Sequence, residues 1–362
     1  MKKLTASVVG GGGGGQLSMR ALEASEHFEL VALADTRVAV CDQMREIFPN
    51  LKTFLTHREL FAQCPTDVVC VSTYPPSHEE VVIDALRNPL RGILVEKPLG
   101  HSVASGRRIL EAIQARRLPM AVPHGLLALA TPTEIVQRVK RGDIGTLKLV
   151  EIQNSGWDII NAGIHWLNFF VTLTGNEPMA SVMALCDASA RTYRDGMQVE
   201  TAAVTYAQTQ SGVRVVMNTG DSVTVNGAQP SDIMFRIVGS AGIIEFYGWE
   251  NGYFILNENH PAGEKVTPQP NAISGHRWHL DNMAAQIAND DIEYSIAESS
   301  LMALEICEGA YLSSQHRSQV TFPVDQWQAP TNSDWQPGQP YAGYGSGHDI
   351  PLSDTSSSEH SS

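Results

Sequence analysis

The chain has 362 residues, a length that favours two domains over one, and its 43% hydrophobic and 18% charged residues are ordinary for a globular protein. A net charge of −14 argues against nucleic acid or an anionic membrane as the main partner, because both need a basic face. No apolar run reaches about 18 residues, so we expect no membrane-spanning helix. The five cysteines are scattered, odd in number and without a C-x-x-C, which favours reduced thiols and a cytoplasmic location.

The first third of the chain alternates short apolar runs with helical patterns. The expected strands are residues 4–10, 30–35, 67–72 and 92–96, and the expected helices are 17–25, 78–87 and 103–116. Repeated strand–helix–strand units of this kind predict a parallel sheet with helices on both faces. Strands buried on both faces read as continuous Val, Ile and Leu runs, as these do.

The pattern changes after about residue 123. Helices are expected at 133–141, 164–173, 278–288 and 297–314, and strands at 147–153, 179–186, 201–207, 213–218, 233–238, 242–247 and 253–256. Strands that follow one another without intervening helices predict an open, largely antiparallel sheet in an α+β domain. We therefore divide the chain into an α/β nucleotide-binding domain (1–122), an α+β substrate and oligomerisation domain (123–328) and an irregular, partly disordered tail (329–362).

A glycine run follows the first strand. Gly10, Gly12 and Gly15 satisfy G-x-G-x-x-G between a strand and a helix, where glycines allow a tight turn and let a pyrophosphate approach the helix N-terminus. Six consecutive glycines also satisfy many other patterns, and a flexible loop is the alternative. Asp35 ends the second strand 20 residues later, where an acid hydrogen-bonds the adenosine ribose of NAD and repels a 2′-phosphate. We therefore expect NAD to be preferred to NADP, with Arg37 softening the preference.

Two further stretches carry a family resemblance. Residues 72–78 read Ser-Thr-Tyr-Pro-Pro-Ser-His and residues 94–98 read Leu-Val-Glu-Lys-Pro. Together with the glycine turn and an alanine-rich helix before Pro323, they make the chain similar to the Gfo/Idh/MocA oxidoreductases over residues 4–323. The resemblance implies an N-terminal Rossmann domain and a second α/β domain whose open sheet often forms subunit contacts, so a homodimer or homotetramer is expected.

The resemblance also implies site residues. Lys97 would lie beside the nicotinamide, Pro98 would follow a cis peptide bond, and Tyr74 stands where the family usually has proline. The family signature Asp-x-Gly-x-His-x-x-Asp reads Asn-Ala-Gly-Ile-His-Trp-Leu-Asn at 161–168, with both aspartates replaced by asparagine. Asparagine keeps hydrogen-bonding geometry but carries no charge, so His165 becomes the candidate base.

These arguments give three groups of candidate residues. The catalytic candidates are His165 as base, Lys97 as electrostatic stabiliser and Asn161 as substrate orienter. The cofactor-binding candidates are Gly10, Gly12, Gly13, Gly14, Gly15, Gln16, Asp35, Thr36, Arg37, Ser72, Thr73, Tyr74, His78, Glu96 and Lys97. The substrate-binding candidates are Lys97, His124, Trp157, Asp158, Asn161, His165 and His279.

Each assignment has a structural alternative. His165 lies in an apolar helix and would also suit a core position, and the segment at Trp157 would also suit a loop packed on the core. His276 and His279 have the spacing of metal ligands, but without a third ligand no metal is expected, and a substrate-pocket contact or a solvated helix start is favoured. By resemblance, the expected activity is NAD-dependent oxidation of a secondary hydroxyl of a sugar, glycoside or cyclitol. Two other activities stay open: transient oxidation by tightly held NAD during cleavage, elimination or epimerisation, and nucleotide sensing without catalysis.

Overall fold

A six-stranded parallel sheet forms the N-terminal half of the protein. The computed structural model describes residues 2–187, 189, 192–226 and 231–329. The strands are β1 (Leu4–Val9), β2 (Phe28–Ala34), β3 (Lys52–Phe54), β4 (Val68–Val71), β5 (Gly92–Val95) and β6 (Met120–Ala121). Their order in the sheet is β3-β2-β1-β4-β5-β6. The chain adds β2 and β3 on one side of the central β1 and then crosses over to add β4, β5 and β6 on the other side, which is the Rossmann arrangement.

Helices cover both faces of this sheet. They are α1 (Gly13–Ala24), α2 (Val38–Ile47), α3 (His57–Gln63), α4 (Pro75–Ala85) and α5 (Val103–Ala115). The sequence did not predict α2, α3, β3 or β6. In α2 only Cys41 and Met44 are buried, so the helix leaves little apolar periodicity to detect. The other three elements are seven residues or shorter, too short to form a pattern.

A nine-stranded sheet dominates the C-terminal half. Its strands are β7 (Leu147–Ser155), β8 (Met179–Asp187), β11 (Ala202–Thr209), β12 (Arg214–Gly220), β13 (Ile233–Gly239), β14 (Gly242–Tyr247), β15 (Tyr253–Asn257), β16 (His260–Val266) and β17 (Val320–Thr321). The order is β16-β15-β14-β13-β7-β12-β11-β8-β17, and every neighbouring pair except β7 and β12 is antiparallel. This confirms the largely antiparallel sheet. A separate hairpin joins β9 (Thr192–Arg194) to β10 (Met197–Val199).

Four α-helices of the described residues follow the parallel sheet in the chain. They are α6 (Ala130–Arg141), α7 (Ile164–Leu173), α8 (Gly275–Asn289) and α9 (Ser295–His316). Helices α7 and α9 pack on one face of the nine-stranded sheet, over a core that includes the stacked rings of Phe235 and Phe246. Helix α8 instead packs on the parallel sheet beside α1, through Leu280 and Met283. The first turns of α1, α7 and α8 come together around one cavity.

The other face of the nine-stranded sheet carries exposed apolar side chains. Met183 is 52%, Leu185 73% and Val204 48% exposed on β8 and β11. Within the described ranges, no helix is long and apolar enough to cross a membrane. The irregular tail expected at 329–362 lies outside the described residues except for Ala329.

Candidate active site

The turn between β1 and α1 needs glycine at its two ends. Gly10 has φ of +97°, and a Cβ there would lie 2.4 Å from the carbonyl oxygen of Ser72. A Cβ on Gly15 would lie 1.8 Å from the carbonyl oxygen of Gly10. The turn is therefore a built feature and not a flexible loop. Helix α1 begins at Gly13, one turn before the predicted start at Leu17, so the free N–H groups of its first turn belong to the glycine run itself.

The acid at the end of β2 is tied to this turn. The Asp35 carboxylate accepts hydrogen bonds from the backbone N–H of Gly11 at 2.7 Å and from the backbone and guanidinium of Arg37 at 2.8–2.9 Å. Burial acts to raise the pKa of Asp35, but the hydrogen bonds from Arg37 and Gly11 outweigh it and lower the pKa. Asp35 is therefore an anion at neutral pH, with the half-exposed Arg37 folded over it.

A cavity of about 650 Å³ runs from the glycine turn into the space between the two sheets. Gly12, Gly13 and Gly14 line one end, and no atom lies within 4 Å of where a Cβ of Gly13 would stand. An open helix N-terminus without acidic residues in its first turn suits a pyrophosphate. Further along, the lining includes Ser72, Thr73, Tyr74, Glu96, Lys97, His165, Asp195, Trp249 and His276.

Lys97 is held at the junction of the two sheets. It follows β5, and its bond to Pro98 is cis, which confirms that expectation. Its ammonium donates to the backbone carbonyl of Asn161 at 2.8 Å. Asn161 lies in a π-helical turn, Ile159–Gly163, that leads directly into α7. The amide side chain of Asn161 donates to Asp158 at 3.0 Å, and its Oδ1 has no hydrogen-bond partner among the described residues.

His165 lies in the first turn of α7 and lines the cavity together with Lys97. Burial, with further contributions from Lys97 and His124, lowers the pKa of His165 well below its usual 6.5. The imidazole is therefore neutral at neutral pH and able to accept a proton. Its Nδ1 is buried without a hydrogen-bond partner in the described part of the chain, as is Oδ1 of Asn161. A buried polar atom without a partner is costly, and a bound ligand is one way to satisfy it.

The other predicted histidines lie behind the cavity. The buried ring of His124 packs edge-on against His165 at 5.2 Å and hydrogen-bonds Ser300. His279 hydrogen-bonds the carbonyl oxygen of His124, and burial lowers its pKa to about 4. His78 bridges the backbone carbonyls of Thr73 and Leu99 and is fully buried. None of the three is in the described lining, so they support the walls of the cavity.

Some of the remaining predicted residues line the cavity and others do not. Tyr74 is 59% exposed and lies at the cavity, whereas the side chains of Gln16 and Thr36 are outside its described lining. The rings of Trp157 and the guanidinium of Arg194 stack at 4.3 Å, and that guanidinium also forms an ion pair with Asp158. Neither Trp157 nor Asp158 reaches the described lining.

Several lining residues were not among the predicted site residues, Asp195 and Trp249 among them, and His276 was noted only as part of the H-R-W-H stretch. His276 Nε2 lies 2.6 Å from Glu96 Oε1, and His279 faces a different partner, so these two histidines do not share a ligand position. Trp249 is 54% exposed at the cavity, with its ring 6.3 Å from that of His165. Trp249 lies in the turn between β14 and β15, and no sequence motif surrounds it. The H-R-W-H stretch drew attention to His276, but only its contact with Glu96 in the structure shows that it lies at the cavity.

Family profiles match almost the whole described chain. The oxidoreductase family with an NAD-binding Rossmann fold matches residues 4–124, and its C-terminal alpha/beta domain matches residues 137–322. The chain belongs to this family, the Gfo/Idh/MocA oxidoreductases, and NAD is the cofactor of its Rossmann domain.

Individual relatives are distant in sequence and close in fold. The rhizopine catabolism protein MocA of Rhizobium meliloti is 24% identical over 191 residues, which cover 49% of this chain and 59% of the relative. The aldose-aldose oxidoreductase of Caulobacter crescentus, crystallised with glycerol, superposes with a TM-score of 0.75 at 19% identity, over 89% of this chain and all of the other. The WlbA dehydrogenase of Chromobacterium violaceum, crystallised with NADH and UDP-GlcNAcA, gives 0.73 at 18%, over 90% and 97%.

Proposed function

We propose that this protein oxidises a secondary hydroxyl of a sugar, glycoside or cyclitol, with NAD as the hydride acceptor. The observation that carries the proposal is that Lys97 and His165 line one cavity that begins at the glycine turn. An alcohol oxidation needs a base for the hydroxyl proton and a positive charge for the developing alkoxide, and this pair offers both.

The cofactor is expected to lie along the cavity from the glycine turn. Gly12–Gly14 would hold the pyrophosphate, Asp35 the adenosine ribose, and Thr73, Tyr74 and Lys97 the nicotinamide end. Bound NAD supplies a ring that accepts a hydride. The chain's own residues supply orientation and charge.

The substrate hydroxyl is placed between His165 and Lys97. His165 takes the proton because its lowered pKa keeps the imidazole neutral when substrate binds. Lys97, tethered to the carbonyl oxygen of Asn161, presents a fixed positive charge to the alkoxide. Asn161 is 2% exposed and lies outside the described lining of the cavity, so it acts on the substrate through the Lys97 ammonium that its carbonyl holds.

The carbohydrate class is supported by an aromatic residue of the lining. Trp249 lines the cavity and is 54% exposed, and an aromatic face suits the apolar face of a sugar ring. Two relatives of the same fold were crystallised with glycerol and with a sugar nucleotide. Both arguments favour a polyhydroxylated substrate over a simple alcohol.

The test is a screen for NAD reduction across sugars, glycosides and inositols, with mass spectrometry of nucleotide that copurifies with the protein. NADH formation with one class of polyol supports the proposal. Retained nucleotide with substrate conversion but without net NADH release indicates transient oxidation instead. Nucleotide binding with no conversion of any polyol refutes the enzymatic proposal and favours a sensor.

A further inference from the structure

Asp158 is a buried carboxylate with a complete set of partners. Its side chain is 1% exposed. Oδ1 accepts from the backbone N–H of Asn161 at 2.7 Å and from the side-chain Nδ2 of Asn161 at 3.0 Å, and Oδ2 accepts from Arg194 at 2.8 Å. A buried carboxylate is tolerated only with such pairing, and the three contacts hold the Asp158 side chain in place.

This carboxylate determines which way the Asn161 amide faces. A carboxylate only accepts hydrogen bonds, so the amide must turn Nδ2 towards it. Oδ1 is then left as the free acceptor of Asn161. Through the backbone N–H contact, Asp158 also caps the π-helical turn whose carbonyl at Asn161 anchors the ammonium of Lys97. One buried charge thus sets two features of the site without lining the cavity.

Arg194 balances that charge from a different element. It lies on β9, and its guanidinium is fixed by the ring of Trp157 as well as by Asp158. The same hairpin turns at Gly196, which lies against the side chain of Tyr74 in the N-terminal half. Arg194 therefore connects the loop at the cavity mouth to the carboxylate beneath Asn161.

We propose that Asp158 is a positioning residue, which orients the Asn161 amide and, through the Asn161 carbonyl, holds Lys97, with Arg194 as its counter-ion. The role differs from the substrate contact expected from the sequence, and it rests on the proposed function insofar as Lys97 acts in turnover. The other titratable groups around Asp158 are Glu200 after β10, Cys307 and Tyr311 on α9, and Lys97 and His165 through the π-helical turn.

The decisive variant is Asn161→Asp, which puts a second carboxylate where Nδ2 now lies 3.0 Å from Asp158. Two carboxylates this close repel each other, so the pKa of one of them rises: both are charged only at alkaline pH, and at lower pH the pair shares one proton. We expect kcat at pH 8 to fall by about ten- to a hundredfold, the usual cost of a misplaced catalytic group. As pH falls the shared proton restores a single charge, so the deficit relative to wild type should shrink. The Kd for NAD should not change.

Two further variants complete a double-mutant cycle with wild type and Asn161→Asp. They are Asp158→Asn and the double variant Asp158→Asn/Asn161→Asp, which exchanges the carboxylate and the amide between the two positions. The double variant keeps one carboxylate and one amide and should recover about tenfold in kcat at pH 8 over Asn161→Asp alone. Arg107→Gln is the matched control, because it removes one member of an exposed Arg–Asp pair formed with Asp325. Its kcat should equal that of wild type.

A second readout needs no substrate. Reductive methylation of Lys97, followed by peptide mass spectrometry, should run several-fold faster in Asn161→Asp at pH 8 and return towards the wild-type rate in the double variant. If wild type converts no polyol, the proposed function fails, and this measurement alone decides the positioning role. An Asn161→Asp protein with wild-type kcat and wild-type Lys97 reactivity at pH 8, or a double variant no better than the single one, overturns the inference.

Discussion

Asp35 makes the cofactor preference testable in quantitative terms. Its carboxylate is 5% exposed and already ionised, so it offers strong hydrogen bonds to ribose hydroxyls and repulsion to a 2′-phosphate. Asp35→Asn keeps the shape and one acceptor oxygen but removes the charge. A hydrogen bond to a charged group contributes about 1.5–3 kcal/mol against about 0.5–1.5 for a neutral one, so NAD should bind about five- to thirteenfold more weakly.

The same substitution frees a cation. The Arg37 guanidinium donates twice to Asp35 and would lose its counter-ion, leaving it available to a 2′-phosphate. Affinity for NADP should therefore stay level or rise while affinity for NAD falls. Arg37→Gln in the wild-type background separates the two effects, since it should weaken NADP binding more than NAD binding.

Isothermal titration calorimetry with both nucleotides on the two variants measures these affinities directly. Ionic strength must be held constant, because Arg37 is half-exposed and its charge is screened by salt. Wild-type protein that binds NAD and NADP equally, or an Asp35→Asn variant with an unchanged ratio of the two Kd values, would refute the argument.

Three further predictions concern the base, the buried acid and the exposed sheet face. His165→Gln should lower kcat by about a hundredfold or more and leave the Kd for NAD unchanged. In wild type, activity should be lost only as pH falls through the lowered pKa of His165, so the acid limb of the kcat/KM profile should lie below pH 6.5. An acid limb above pH 6.5 would contradict this assignment. Burial acts to raise the pKa of Glu96, but the hydrogen bond and charge of His276 outweigh it and lower the pKa, so ionised Glu96 stabilises the fold above about pH 4.5 and this stabilisation is lost as pH falls through the lower pKa. Glu96→Gln should therefore reduce the free energy of unfolding by about 1–2 kcal/mol at pH 7 and by progressively less below pH 4, as measured in thermal melts. A reduction that does not depend on pH would exclude the ionic explanation. We expect wild type to form a dimer or tetramer by light scattering and Leu185→Asp, at a position 73% exposed, to weaken association with little change in monomer stability; a monomeric wild type at micromolar concentration would refute it.

The sequence by itself determined the longer elements of the N-terminal half, which are four of its six strands and three of its five helices. Parallel strands buried on both faces must be continuous apolar runs, so β1, β2, β4 and β5 stood out, and the glycine pattern between β1 and α1 is read from six consecutive residues. The position of Lys97 after β5 and the family signature around His165 are likewise local patterns. What is encoded over short distances was predictable in this protein.

The tertiary structure decided which of the polar candidates face the cavity. His124, His165 and His279 are alike in sequence, each a histidine among apolar neighbours, but only His165 lies in the described lining. The pairing of His276 with Glu96 joins residues 180 positions apart, and no local pattern carries such a contact.

The asparagine at 161 shows the same limit most clearly. From the sequence its replacement of an aspartate is a loss of charge from the site. In the structure a carboxylate lies beside it at Asp158, balanced by Arg194 from a hairpin 36 residues away. Whether a buried charge is present, and which groups neutralise it, depends on distances in space between separate elements, and only the folded chain determines these distances.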